Sequence, residues 1–323
     1  MHLAILPESH TQQRLPYYLA AEEWIAHNIP DDCFFAWQVD PTVICGRNQD
    51  VESEVDLDFC RRNGIEVYRR KSGGGAVFAD RNNIMFSYVT AASSVADAFG
   101  AYTAMVAGAL RGLGLDASAS GRNDILIGDR KVAGNACLRC AARSIVHGTM
   151  LFDADPAMMG MALTPGRSKL ASHKVKSVAA RITTVREYLP DLDIHAFLKY
   201  MTGSLCSGSI VIPDEALPAI KEAESSYYDE DFIGKGRAVK QKRIDGVGSI
   251  GIASEAENGK LSEVHIRGDF FAETDVASVA RALHGERADA ESIAARLGDK
   301  AVIAGLDNRT LAEMIAESAK TEN

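Results

Sequence analysis

Two short stretches combine the residue types that chemistry on a charged small molecule requires. The first is Arg69-Arg70-Lys71-Ser72-Gly73-Gly74-Gly75-Ala76-Val77-Phe78. Three successive glycines carry no Cβ, so the main chain can come close to a ligand. Their N–H groups can then converge on an anion as a nest does. Arg69, Arg70 and Lys71 place up to three positive charges beside that nest, which suits phosphate. A triple glycine alone reads as a solvated turn; with two arginines and a strand on either side, anion binding by Gly73, Gly74 and Gly75 is the better reading. The stretch is not a Walker A loop, since no G-x-x-x-x-G-K-[ST] occurs. Nor is it a dinucleotide fingerprint, since Phe78 stands at the third glycine position.

The second stretch is Gly121-Arg122-Asn123-Asp124-Ile125, followed by Asp129-Arg130-Lys131-Val132-Ala133-Gly134-Asn135-Ala136. Asp124 and Lys131 flank a tight hairpin and can reach the same side of a sheet. That arrangement fits a metal-nucleotide, with the carboxylate of Asp124 on Mg²⁺ and the lysine on a reacting phosphate or carboxylate. Taken alone, Lys131 reads as a solvated strand lysine. His147, in Val146-His147-Gly148-Thr149, reads either as a core histidine bonded to backbone or as a site residue. Cys137 and Cys140 form a C-x-x-C pair. Neither the two further clustered ligands of a zinc site nor the βαβ context of a redox dithiol accompanies them. The expectation is two thiols in a loop.

The elements that must position these residues alternate between strand and helix, without internal repeats. Tyr17 to Ala26 spaces its apolar residues as an amphipathic helix does. Phe34 to Val39 and Thr42 to Gly46 read as short strands around the turn pair Asp40-Pro41. Ile65 to Arg70, Ala76 to Phe78 and Ile84 to Val89 read as strands, and Ser94 to Leu113 as a helix stopped by Gly112 and Gly114. Ile125 to Gly134 reads as a hairpin turning at Gly128-Asp129, and Ile145 to Phe152 as another strand. Between Tyr227 and Gly248 lies a basic stretch poor in apolar residues, read as a solvated hinge. Beyond it, Gly248 to Ile252 and Val264 to Ile266 read as strands, and Val276 to Leu283, Ala290 to Leu297 and Asn308 to Ser318 as helices. The expected architecture is a mixed α/β (α+β) catalytic domain over residues 1–240 and a small α+β accessory domain over 241–323.

Composition bounds the function classes. The 323 residues are 46% apolar and 24% charged, as in an ordinary globular protein with a sizeable core. A net charge of −9 argues against a nucleic-acid footprint. The first residues lack the charged start and apolar run of a signal peptide, and no stretch approaches the roughly 20 apolar residues a bilayer requires. Six cysteines in a chain of this length do not form a disulfide scaffold. A reduced cytoplasmic protein, with no membrane and no nucleic-acid partner, is the expectation.

These motifs, in this order, resemble those of the lipoate–protein ligases, within the wider group that includes octanoyltransferases and biotin–protein ligases. The resemblance takes in Glu22-Glu23, Gly46-Arg47-Asn48-Gln49 with Glu54, Arg69 to Phe78, Gly121 to Ala136 and His147-Gly148-Thr149. It continues through Lys169-Leu170, Lys174, Lys176-Ser177-Val178 and Arg181 to Gly268-Asp269-Phe270-Phe271 of the accessory domain. It implies that lipoate is activated by ATP and Mg²⁺ to lipoyl-AMP and passed to a lysine of lipoyl-domain proteins. Those acceptors would be 2-oxoacid dehydrogenase E2 subunits and the glycine cleavage H protein. By the same resemblance, Arg70 and Gly75, Ala76, Val77 and Phe78 bind ATP, and Lys131 is the catalytic residue touching both phosphate and lipoyl carboxyl. Gly75, Gly134 and His147 join Lys131 on the lipoate side, and Ala136 to Val146 corresponds to a loop closing over the adenylate. The sequence departs from the family pattern at Ala79, usually histidine, and at Asn82, commonly glycine. Two rivals stand beside this reading: an acyltransferase working through a cysteine thioester at Cys137 or Cys140, and a non-catalytic lipoyl-binding relative.

Overall fold

Alternation along the strands decides what each face of the main sheet carries, because successive side chains point to opposite sides. Strand β2 (Cys33–Trp37) sends Phe34 and Ala36 into one core and Cys33, Phe35 and Trp37 into the other. Strand β6 (Asn83–Thr90) likewise divides Ile84, Phe86 and Tyr88 from Met85 and Val89. The same parity places Ser87 of β6 and His147 of β10 (Arg143–Leu151) on the Trp37 side.

The structure, a computed structural model, describes residues 1–8, 12–92, 94–121, 123–163, 180–229, 232 and 241–320. The remaining strands are β1 (His2–Ile5), β3 (Thr42–Cys45), β4 (Glu66–Arg69), β5 (Val77–Ala79), β7 (Ala117–Ser120), β8 (Asp124–Ile127), β9 (Arg130–Cys140), β11 (Gly208–Val211), β12 (Gln241–Ile244), β13 (Gly248–Glu257) and β14 (Lys260–Gly268). An eight-stranded mixed sheet runs β11-β1-β2-β6-β10-β9-β8-β7. The helices Val95–Gly112 and Ile194–Leu205 cover one face, while Leu15–Asn28 and Leu217–Ser225 cover the other. A second sheet, β4-β3-β5, carries the glycine stretch between β4 and β5. A third, β12-β13-β14, packs with the helices Val276–Ala282, Ala290–Leu297 and Asn308–Lys320 around a core of its own. The mixed α/β expectation holds.

The two strands expected around Asp40-Pro41 are present and fall in different sheets: β2 joins the large one and β3 the small one. All four residues of β3 are buried, and it pairs in parallel with β4, so the turn hands the chain from one layer to the next. Ala136 to Val146 is no closing loop, because β9 and β10 pair antiparallel from Arg143↔Cys140 to Met150↔Ala133. The C-x-x-C pair therefore lies on a strand, and a spacing of three puts its thiols on opposite faces. Cys137 enters the core with Phe34, and Cys140 the core with Phe35. Lys169, Lys174 and Lys176 of the resemblance, together with Arg122 and most of the basic hinge, lie outside the described residues.

The accessory unit reaches into the larger one through Gly268 to Asp275. Gly268 N–H donates to Asn48 O at 2.9 Å, Gly74 N–H to Phe270 O at 3.2 Å, and Arg47 to Asp275 at 2.8 Å. Glu273 receives the Val95 N–H at the start of the Val95–Gly112 helix. Phe271, fully buried, packs against Phe99 with ring centroids 4.9 Å apart and belongs to the core of the large domain. Phe271→Ala is expected to cost about 3–5 kcal/mol and to let the accessory unit unfold separately in urea. A single transition with an unshifted midpoint would show that Phe271 anchors nothing.

Candidate functional site

A pocket opens where the small β4-β3-β5 sheet and its glycine stretch meet the main sheet. Its walls come from the glycine stretch (Gly74 to Val77), the β8–β9 hairpin (Asn123, Lys131, Gly134 to Ala136) and β10 (His147 to Thr149), with Leu19, Trp37, Ile44 and Met85 as an apolar floor. A wider hollow of about 520 Å³ on the accessory unit, between β14 and the Val276–Ala282 helix, shows no such convergence of glycine backbone and lysine.

Arg70 organises the glycine wall. Its Nε donates to Ser72 Oγ at 3.0 Å, one terminal nitrogen to Ile44 O at 2.9 Å, and the other to Gly73 O at 2.6 Å and Gly75 O at 2.9 Å. Burial lowers its pKa to about 10, so it remains charged at neutral pH. None of these partners is acidic, so the positive charge is held only by main-chain dipoles and one hydroxyl. An anion in the pocket would complete that compensation. By drawing the carbonyls of Gly73 and Gly75 onto itself, the guanidinium fixes the peptide planes of the loop.

The other two expected cations point elsewhere. Arg69 donates to the carbonyls of Gly46, Arg47 and Gln49 and so braces that turn. Lys71 binds both carboxylate oxygens of Glu23 at 2.9 Å and lies over the Tyr227 ring. Gly73 faces the accessory unit, where a Cβ would meet Phe270 O at 2.2 Å. Gly74, at φ +88°, spends its N–H on the same carbonyl. The free nest of three amides is thus corrected to a loop whose Gly75 borders open space. Phe78 lies behind the wall in a small core with Val43 and Cys45, so only its main chain is left to meet a ligand.

Lys131 faces this wall from the hairpin. A register shift between Ile125 and Leu126 brings its ammonium to 2.8 Å from Asp124. Both side chains are more than a third exposed, so the pair is worth little, about 0–1 kcal/mol. The ammonium can therefore leave Asp124 for a substrate at small cost. A Cβ at Gly134 would meet Lys131 Nζ at 2.6 Å, so Gly134 makes room for the lysine. Thr183 N–H donates to Lys131 O at 2.8 Å and holds the strand from its other edge. Asp124 offers a single carboxylate: among the described residues no three His, Cys, Asp or Glu converge. It suits Mg²⁺ held mainly by substrate phosphates and water.

His147 is buried but is bonded to side chains, which the sequence did not reveal. Its Nδ1 lies 2.6 Å from Glu22 Oε2 and its Nε2 2.6 Å from Ser72 Oγ. Glu22 sits in the apolar stripe of the first helix with Tyr18 and Ile25. A carboxylate in such a stripe was the available signal. Near the departures from the family pattern, Asp80 accepts from Asn82 N–H and Asn83 Nδ2, and Asn82 keeps a negative φ, so no glycine is required there.

The two glycines separate fold from binding. Gly75→Ala places its methyl in open space and should leave the melting temperature within the range of ordinary surface changes while weakening nucleotide binding. Gly74→Ala meets Arg70 and Phe271 at positive φ and should cost about 1–3 kcal/mol. Calorimetry of both variants checks this; unchanged ATP binding by Gly75→Ala would remove the loop from the nucleotide site.

Comparison with known proteins agrees with this geometry. Residues 15–205 match the family described as the lipoyl protein ligase A/B catalytic domain, and residues 237–316 the bacterial lipoate protein ligase C-terminus. The chain is 29% identical to a probable lipoate-protein ligase A of Mycoplasma pneumoniae, over 96% of this chain and 97% of that one. It is 32% identical to the lipoate-protein ligase LplJ of Bacillus subtilis, over 85% and 88%. Among solved structures, P. falciparum LipL1 in complex with lipoate shares the fold with a TM-score of 0.75 at 20% identity, covering 94% of this chain and 95% of that one. A bi-partite lipoate protein ligase studied with its E2 lipoyl domain, from Thermoplasma acidophilum, gives 0.64 at 25% identity, covering 74% and 98%. With the catalytic-domain family matched over more than half of its residues and relatives at about 30% identity over nearly their whole length, the chain belongs to the lipoate–protein ligases.

Proposed function

We propose that the protein uses ATP to convert lipoate to lipoyl-AMP, with pyrophosphate leaving, and then transfers the lipoyl group to a lysine of a lipoyl-domain protein, with AMP leaving as the amide forms. The observation that carries this reading is the opposition of Lys131 and the Arg70-braced loop across one apolar-floored pocket. A carboxylate is a poor acyl donor, and attack on ATP brings it against a phosphate of like charge. Lys131 and the Arg70 charge neutralise that approach, and the Lys131 ammonium then polarises the adenylate carbonyl for the incoming amine. Leu19, Trp37, Ile44 and Met85 give the acyl chain an apolar wall and keep water from the anhydride. Mg²⁺, bound through Asp124 and the phosphates, would add charge neutralisation on the nucleotide. The acceptors are E2 lipoyl domains and the glycine cleavage H protein; the Thermoplasma ligase and its E2 lipoyl domain support that class.

The reading is tested by incubating a purified lipoyl domain with lipoate, ATP and the protein. A mass gain that needs both substrates is expected, and its absence would overturn the assignment. Lys131→Ala should fold normally and lose on the order of 10²–10³ in rate, in adenylate formation and in transfer from pre-made lipoyl-AMP alike. Normal transfer by that variant would exclude Lys131 from the second step.

A cysteine route finds no support in the thiols. Burial raises Cys137 to about 12 and Cys140 to about 11, so neither supplies a thiolate near neutral pH. Because the raised pKa keeps both protonated, alkylation of the folded protein at pH 8 should spare them, and changing both to serine should leave lipoyl transfer intact. A lipoyl thioester trapped on either one would favour the acyltransferase instead.

A further inference from the structure

Behind the pocket runs a continuous buried hydrogen-bond chain that the reaction as written does not use. Trp37 Nε1 donates to Ser87 Oγ at 3.2 Å, and Ser87 donates to Glu22 Oε1 at 2.5 Å. Glu22 Oε2 meets His147 Nδ1 at 2.6 Å, His147 Nε2 meets Ser72 Oγ at 2.6 Å, and Ser72 Oγ accepts from Arg70 Nε at 3.0 Å. Glu22, Ser87 and Ser72 are at most 1% exposed and His147 6%.

Arg70 can only donate, so Ser72 Oγ accepts that bond. With the Ser72 hydroxyl hydrogen turned to His147 Nε2, the imidazole carries its proton on Nδ1 and donates it to the Glu22 carboxylate. Serine, histidine and glutamate in this sequence have the spacing of an acyl-transfer triad. Ser72 nevertheless stands outside the pocket wall, and its oxygen is occupied by the guanidinium, so no acyl carbon can reach it. What the chain does reach is Arg70, and through Arg70 the carbonyls of Gly73 and Gly75.

We propose that Glu22, His147 and Ser72 are positioning residues for adenylate formation: they orient the Arg70 guanidinium, which sets the peptide planes of Gly73 to Gly75 and so presents Gly75, the open end of the loop, to the nucleotide phosphates. The inference rests on the ligase reading for its reaction, but its structural content is measurable without turnover. Since His147 also lines the acyl pocket, the wall that meets the acyl chain and the loop that meets the nucleotide share one hydrogen-bonded frame.

The test uses the full chain and a non-hydrolysable ATP analogue. Ser72→Ala leaves one guanidinium hydrogen and one imidazole nitrogen without partners, and should raise the analogue Kd by about 10–100-fold. Amide exchange at Gly73 to Gly75 should quicken in the same variant. Glu22→Gln keeps the side-chain shape and should shift both readouts in the same direction by a smaller factor; it also serves if Ser72→Ala does not fold. In the unmutated protein, ¹⁵N shifts should show His147 protonated at Nδ1 and bare at Nε2. Unchanged analogue binding and loop exchange in both variants would overturn the proposal, as would a His147 tautomer with the proton on Nε2. A lipoyl ester trapped on Ser72 would replace positioning by covalent catalysis. If the unmutated protein binds the analogue yet makes no lipoyl-AMP, the ligase reading fails while the frame stands.

Discussion

One buried positive charge organises the site. The Arg70 guanidinium sits where water cannot solvate it, and a charge so placed is tolerated only when dipoles or counter-charges surround it. Here the dipoles come from three places: Ile44 at the end of β3, the glycine loop that follows Arg70, and Ser72 as the terminus of the Glu22–His147 chain. Losing one hydrogen bond to a buried charge typically costs about 1.5–3 kcal/mol, a sizeable fraction of the roughly 5–15 kcal/mol by which a domain is stable. The loop geometry is therefore tied to stability, and the site cannot relax without loosening the layers it joins. Lys131 obeys the opposite logic. Its exposed pairing with Asp124 is cheap to break, so rigidity lies on the Arg70 wall and mobility on the lysine wall.

Much of this was legible in the sequence, for identifiable reasons. The first helix shows in its apolar spacing and the Val95–Gly112 helix in its composition and stop glycines, whereas Ile194–Leu205 and Leu217–Ser225 are not read from the sequence; the Gly128-Asp129 hairpin shows in its turn and alternation, and it brings Lys131 and Asp124 together. Residue type alone could not say where guanidinium groups turn. Arg69, Arg70 and Lys71 are equivalent as charges beside glycines, yet one braces a turn, one the loop, and one binds Glu23. The Glu22–His147 contact spans 125 residues and leaves only one local trace, an acid in an apolar helical stripe. Strand β12 is hidden because Gln241, Lys242 and Arg243 are exposed: of its four residues only Ile244 packs on the accessory core, too little for a side-chain pattern to record. The four-residue strands β1 and β11 pair in parallel at the sheet edge, a long-range match that no local window contains.

The accessory unit is more than an appended module. Phe271 lies in the core of the large domain and the Phe270 carbonyl satisfies Gly74 N–H, so two walls of the larger unit are finished by residues from the smaller. The described helices include none long and apolar enough to cross a membrane.

This sharing has a consequence for biosynthesis. The glycine loop leaves the ribosome roughly 200 residues before Phe270 and Phe271, a delay on the order of tens of seconds at ordinary rates of elongation. Throughout that interval the Val95–Gly112 helix presents Phe99 without its partner, and the Gly74 amide lacks its acceptor. The nascent large domain must persist with an apolar notch at the edge of its own site until Phe270 and Phe271 have emerged. A chain truncated before residue 270 would keep that notch open for as long as it survived, which makes the incomplete product, more than the finished enzyme, the form that a chaperone or protease would recognise.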